Sequence, residues 1–275
     1  MSDRKPIPEK FRSNFHVHTY ISPCCGDHEG CRPENLLRIA EGYGLHELGF
    51  CDHVFIPRPG MKESYGASEQ EFLFVRNQVR MLEYSATRPL LGWEVDVFGK
   101  NSYSLHEKYL EYLDYATLSC HFYPEEQERV AFQSHDTAAA RILNRYMIAA
   151  TTGFADIIAH PFYLHKQWFP DANAIHERIS QKNLEEFMCA ARENGIALEF
   201  SPVLFRADYW NVQNAYRIYD TARSMGVKLA PGSDAHTAGA VANHLTTAFV
   251  LEDLRLDDSN FVCYDELKHA GRRAI

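Results

Sequence analysis

Short apolar runs alternate along this chain with longer segments of helical spacing. Runs with strand character lie at residues 14–18, 47–52, 90–95, 115–120, 156–160, 196–200 and 227–230. Between them, apolar positions recur three and four apart in 33–42, 68–85, 105–113, 136–151, 183–193 and 211–224, which predicts amphipathic helices. Pro33 opens the first of these helices and Gly42 closes it. A first turn leaves the N–H that proline lacks unused anyway, and glycine tolerates the reversal after a last turn. Gly195 and Gly226 likewise stop the last two helices just before a strand. Seven strands alternating with helices predict parallel βα units, and a strand count near eight points to closure into a barrel. No linker rich in Pro, Gly or Ser divides the sequence, so 1–275 reads as a single domain with its core motifs over 14–250. Two long loops, 54–67 and 161–174, hold proline with aromatic or basic residues and are expected to serve as substrate-binding loops or lids.

Composition narrows the function. A chain of 275 residues with 45% hydrophobic and 24% charged residues has enough apolar sequence for a core, which excludes a disordered protein. The formal charge of −9 argues against binding long nucleic acids by phosphate attraction. The seven cysteines are odd in number and scattered, which suits reduced thiols in a cytoplasmic protein better than a disulfide framework. The N-terminal MSDRKPIPEKFRSN has no apolar core of a leader, and no run approaches the ~20 apolar residues of a membrane span. The count of fourteen histidines directs attention to metal ligands.

Metal-competent residues cluster where the strands end. The first strand carries His16 and His18, the second Asp52 and His53, and the third Glu94 followed by Asp96. The fourth ends in His121, the fifth in His160, and the seventh runs into Asp234 and His236. In a parallel α/β layout all these ends meet at one face. Residues two apart on a strand share a side, so His16 can converge with His18, and Asp234 with His236. Apolar residues are the default at such buried ends, so polar recurrence at six of seven strands is hard to attribute to packing. Neutral imidazole and carboxylate suit Zn, Mn or Fe. Asp96 reads either as a partner for a ligating histidine or as a solvated strand end. His106, His135, His165, His176, His244 and His269 fall outside the pattern and are expected at the surface, with His165 on a lid-like loop.

Taken in order, HVHT at 16–19, CDH at 51–53, GWEVD at 92–96, SCH at 119–121, AHP at 159–161 and GSDAH at 232–236 resemble the motifs of the PHP family, named for polymerase and histidinol phosphatase proteins. They span nearly the whole chain. Glu94 in GWEVD, the SCHF stretch and Glu199 in LEFSP look closer to the histidinol-phosphatase branch. The resemblance implies a distorted (β/α)7 barrel with a trinuclear centre. His16, His18, Glu94 and Asp234 would hold one metal. Glu94 would bridge to a second held by His121 and His160. His53 and His236 would hold a third, with one more ligand from the loop after His18. That loop, TYISPCCGDHEGCRPE, departs from the family spacing. Counting forward from His18 reaches Cys24 or Cys25, and counting back from Pro33 reaches His28. His28 is favoured because it matches the other imidazoles, with Asp27 and then Cys24 as alternatives.

These expectations describe a metal-dependent phosphoesterase with two to three divalent ions (Zn, Mn or Fe) and a small phosphorylated substrate, histidinol phosphate being the best single guess. Two divalent ions sharing a water lower its pKa toward ~7 and neutralise charge on phosphate oxygens. Turnover is expected to depend on Glu94, Asp234 and His236, and Arg206 in SPVLFRADY is a candidate phosphate contact. The alternatives are a phosphodiesterase of short oligonucleotides and a non-catalytic metal-binding barrel.

Overall fold

A computed structural model of the chain describes residues 6–56, 65–121, 134–165, 169–206 and 212–269. Seven strands run parallel in the spatial order of the sequence: β1 (Ser13–Val17), β2 (Glu47–His53), β3 (Arg88–Gly99), β5 (Thr117–Ser119), β6 (Ile157–Ile158), β7 (Ala197–Phe200) and β8 (Leu229–Pro231). The two-residue β4 (Ser102–Tyr103) folds back antiparallel on the end of β3. The sheet curls until its edges meet. Val17 bridges Ala235 in parallel, and the His18 N–H donates to the Ala235 carbonyl at 3.0 Å. The architecture is therefore a nearly closed, distorted (β/α)7 barrel, with helices packed outside it.

The helices are α1 (Pro33–Gly42), α2 (Glu69–Arg80), α3 (His135–Ala150), α4 (Ala172–Arg178), α5 (Gln181–Glu193), α6 (Val212–Met225) and α7 (Ala248–Asp253). In α1, Pro33 occupies the first turn, and Leu36, Leu37 and Ala40 form the buried stripe. The reversal after α1 falls at Gly44 (φ 67°), two residues beyond the predicted glycine. Ser68 and Glu71 start α2 with a reciprocal capping box. The helix expected over 105–113 is a 3-10 stretch, Glu107–Tyr112, and α4 lies partly within what reads from the sequence as loop 161–174. Of the two proposed lids, 57–64 and 166–168 lie outside the described residues. Among the described residues no helix is long and apolar enough to cross a membrane.

Barrel parity decides which side chains face the interior. Alternate residues of β2 and β3 separate cleanly. Leu48, Phe50, Leu91, Trp93 and Val95 pack outward under the helices, while Cys51 and Leu90 join Phe15, Tyr115, Ile157, Ala197 and Ala230 inside. Val262, Tyr264 and Leu267 of the C-terminal segment close the bottom of this inner cluster. Tyr115 lies across the interior, its hydroxyl donating to the Phe15 carbonyl at 2.6 Å. Gly92 makes room for it, because a Cβ there would stand 2.3 Å from Tyr115 Cζ. The apolar floor thus ends just below the strand termini, and everything above it is polar.

Candidate metal centre

The polar layer begins with an irregularity in β1. Asn14 pairs with Leu48 but Val17 pairs with Phe50, so three steps on β1 oppose two on β2. This bulge lets Phe15 fill the barrel while His16, the next residue, still reaches the site alongside His18. Asn14 holds the bulge. Its Oδ1 accepts the N–H groups of His16 (3.1 Å) and Ser233 (3.0 Å), and its Nδ2 donates to Ser233 Oγ (2.9 Å) and the Val241 carbonyl (2.7 Å). One amide side chain therefore ties the first histidine strand to the turn that carries Asp234.

Glu94 is the hub. It is 1% exposed, and five imidazoles surround its carboxylate. Oε2 lies 3.1 Å from His53 Nε2, 3.2 Å from His16 Nε2 and 3.5 Å from His18 Nε2. Oε1 lies 3.1 Å from His160 Nε2 and 3.9 Å from His121 Nε2. Asp234 adds a second carboxylate, its Oδ1 3.1 Å from His18 Nε2, 3.4 Å from His236 Nε2 and 3.6 Å from His16 Nε2. All eight motif residues thus converge on one end of the barrel. His160 (φ 23°) and Asp234 (φ 51°) occupy the left-handed region. That conformation costs a non-glycine residue about 1–3 kcal/mol and persists only where its surroundings impose it.

A ring of supporting groups points these histidines. Glu199 Oε1 faces His16 Nδ1 at 3.0 Å, and its Oε2 accepts the His160 N–H at 2.5 Å, which holds the strained turn. Gly232 clears space for Glu199, since a Cβ there would lie 2.0 Å from Oε1. His18 Nδ1 pairs with Ser22 Oγ at 3.0 Å, and that hydroxyl donates to Asp52 Oδ1 at 2.8 Å. Asp52 therefore faces away from the cluster and serves it indirectly. His121 Nδ1 pairs with Asp96 Oδ1 at 3.1 Å, so Asp96 is the histidine partner rather than a solvated strand end. Arg145 of α3 donates to the carbonyl of His121 at 2.9 Å. Each Nδ1 so engaged directs the opposite Nε2 toward the centre.

The loop after His18 settles differently from the favoured expectation. His28 is exposed, and its Nδ1–H donates to the Tyr20 carbonyl at 2.9 Å. Asp27 Oδ1 accepts the Gly30 N–H at 2.9 Å. Neither side chain is brought to the cluster. Cys24 is: its Sγ forms a donor group with His18 and His53, with all three atoms within 4.8 Å of one another, and it also bonds His236. Tyr65, at the end of the loop after β2, adds its ring against His53 (centroids 5.5 Å). Arg206 is exposed, directly after the turn Pro202–Phe205 that follows β7.

The electrostatics suit cations. Among the described residues neither Glu94 nor Asp234 pairs with lysine or arginine. With protons as the only counter-charge, burial works against ionised Glu94, but His53 and His16 outweigh it and hold the carboxyl well below its usual range. Burial would lower His53 and His236, yet Glu94 lifts the first to about 10 and Asp234 the second to about 11. Burial likewise opposes a Cys24 thiolate, but His18 brings its pKa down to about 3. His53 Nδ1 and Asp96 Oδ2 are buried without a hydrogen-bond partner among the described residues. Converging imidazole nitrogens, the carboxylates of buried Glu94 and partly buried Asp234, and the Cys24 sulfur form a donor set that fits divalent metal ions. Five overlapping triads supply it: His18–Cys24–His53, His16–His18–Glu94, His18–Asp234–His236, His53–Asp96–His121 and Glu94–His121–His160.

Two histidines expected at the surface are buried instead. His176 is 1% exposed and His244 is fully buried. His244 lies edge-on to Phe11, and neither ring nitrogen has a hydrogen-bond partner among the described residues. Burial pushes its pKa down to about 4. In the unfolded chain the same ring titrates near 6.5, so between about pH 6.5 and 4 the unfolded state binds the extra proton. The contribution of His244 is complete above pH 6.5 and is lost as pH falls toward 4. We expect His244→Phe to flatten this part of the acid limb in denaturant titrations, and an unchanged slope would refute the assignment.

A nearly closed barrel of seven parallel strands, carrying a histidine–carboxylate cluster at its C-terminal end, defines the class to which this chain belongs. The PHP domain pattern matches residues 14–203, and the chain is a member of the PHP family. No curated protein matches the sequence. Among solved structures, it is similar to the histidinol phosphate phosphatase HisK of Lactococcus lactis, in complex with Zn, L-histidinol and phosphate. The TM-score is 0.59 at 15% identity, covering 90% of this chain and 94% of that one. A second likeness is to the metal-dependent tyrosine phosphatases YwqE of Bacillus subtilis and CpsB of Streptococcus pneumoniae. There the TM-score is 0.45 at 15% identity, with 95% of each chain covered.

Proposed function

We propose that this chain, a single domain throughout, is a metal-dependent phosphoesterase acting on a small phosphorylated metabolite. The observation that carries the reading is Glu94, a buried carboxylate whose two oxygens face different sets of imidazoles. A bridging carboxylate offers one oxygen to each of two cations. His16, His18 and Asp234 would complete one position, His121 and His160 the second, and His53 and His236 a third. Bound divalent ions would supply an acidified water and neutralise phosphate charge. The chain's own part is to fix these donors through Glu199, Asp96, Ser22 and Asn14, so that little reorganisation is needed during reaction. Arg206, exposed after the segment that follows β7, would offer the phosphate a bidentate contact. Tyr163, whose ring lies 5.7 Å from that of His160, would wall the mouth of the site.

Histidinol phosphate heads the list of substrates, because the similar barrel of the Lactococcus enzyme holds L-histidinol and phosphate. The test is phosphate release from a panel of phosphorylated metabolites and dinucleotides, with Zn, Mn and Fe supplied in turn. We expect monoester hydrolysis with at least one metal. Cleavage confined to dinucleotides would replace this reading with a phosphodiesterase, and no hydrolysis of any member would overturn it.

A further inference from the structure

The segment between His18 and α1 is pinned at both ends. Ser22 is anchored to Asp52, and its carbonyl accepts the Cys25 N–H at 2.9 Å. On the far side the Gly26 N–H donates to the carbonyl of His236 at 2.9 Å. Residues 23–25 are thereby drawn across the barrel mouth from β2 to the end of β8. Cys24 sits in the middle of that span, partly buried, with its sulfur among His18, His53 and His236. The other cysteines have different surroundings. Cys25 and Cys31 are buried and hydrogen-bonded together, Cys51 packs in the apolar barrel interior, and Cys120 packs in the outer core.

We propose that Cys24 is a thiolate ligand of the third metal position, shared with His53 and His236, and that its sulfur makes this position selective for zinc over manganese or magnesium. The proposal rests on the cluster being a metal centre, as argued above. The remaining donors are imidazole nitrogens and carboxylate oxygens, which accept Mn, Fe and Zn alike. A thiolate is a soft donor that favours Zn and disfavours hard cations. The position therefore differs in kind from those around Glu94, and one soft site beside two harder ones would let the protein hold unlike metals together.

Reconstitution of the full chain with cobalt tests this without reference to turnover. In the wild type we expect a near-ultraviolet sulfur-to-cobalt charge-transfer band that Cys24→Ser removes and that His28→Ala and Cys25→Ser retain. Cys24→Ser should also lose about one equivalent of zinc on dialysis against a weak chelator, with affinity at that position lowered by at least about tenfold, the effect known even for supporting residues. Its manganese content should be unchanged. Circular dichroism of each variant confirms the fold. Cobalt bound without the band, or a band that survives Cys24→Ser, would overturn the thiolate assignment and leave the metal centre standing. Failure of the wild type to bind cobalt or zinc at all would overturn both.

Discussion

Glu94→Gln is expected to lower kcat/KM for phosphate release by at least about a thousandfold, the scale of losing a principal electrostatic stabiliser. The neutral amide keeps the size of the side chain but presents one oxygen instead of two and carries no charge. It would face His16, His18, His53, His121 and His160 with an NH2 group on one side. Cations held as proposed would lose the anion they share, so we expect the variant to retain less metal than the wild type. Steady-state kinetics and elemental analysis of the same preparation check both points. Rates within tenfold of wild type at full metal content would remove Glu94 from the centre of the mechanism.

Prolonged chelation is expected to abolish turnover completely and to lower the melting temperature, with both restored by adding back the divalent ion. The loss of activity follows from the proposed reading, in which the bound ions acidify the water and neutralise phosphate charge. The loss of stability follows from mass action, because ions bound only by the folded chain stabilise it. It also follows from charge, since Glu94 is buried, Asp234 is partly buried, and neither has a lysine or arginine partner among the described residues. Full activity in excess chelator would sink the proposed chemistry. A melting temperature unaffected by chelation would show that the imidazoles and carboxylates balance one another without metal.

Much of this site is legible in the sequence because barrel parity has a period of two. His16, His18, His53, Glu94, His121, His160, Asp234 and His236 all sit at strand ends in the sequence, and the structure gathers them at one end of the barrel. Glu199 was equally accessible to that reasoning. It is a lone acid in the apolar run IALEF, on the inward parity of the one strand with no metal-competent residue at its end. The bulge in β1 is different. No residue type announces it, and a strict alternation that keeps His16 beside His18 would have turned Phe15 out of the barrel. The burial of His244 is also hidden, because the 3-10 segment that carries it has no amphipathic period.

The loop after His18 shows the limit most clearly. Counting from either end selects different residues, and chemical likeness to the other ligands favours His28. The choice falls to contacts that no local pattern encodes: Ser22 on Asp52, and Gly26 on the backbone of His236. The alternation of strands and helices and the polar ends of the strands are written in the local sequence pattern. These depend on local spacing, which the backbone geometry repeats. That Cys24 rather than His28 faces the converging side chains, that Asn14 holds them and that His244 is buried emerges only in the folded chain. Those outcomes rest on pairings between residues far apart in the chain, made when the barrel closes.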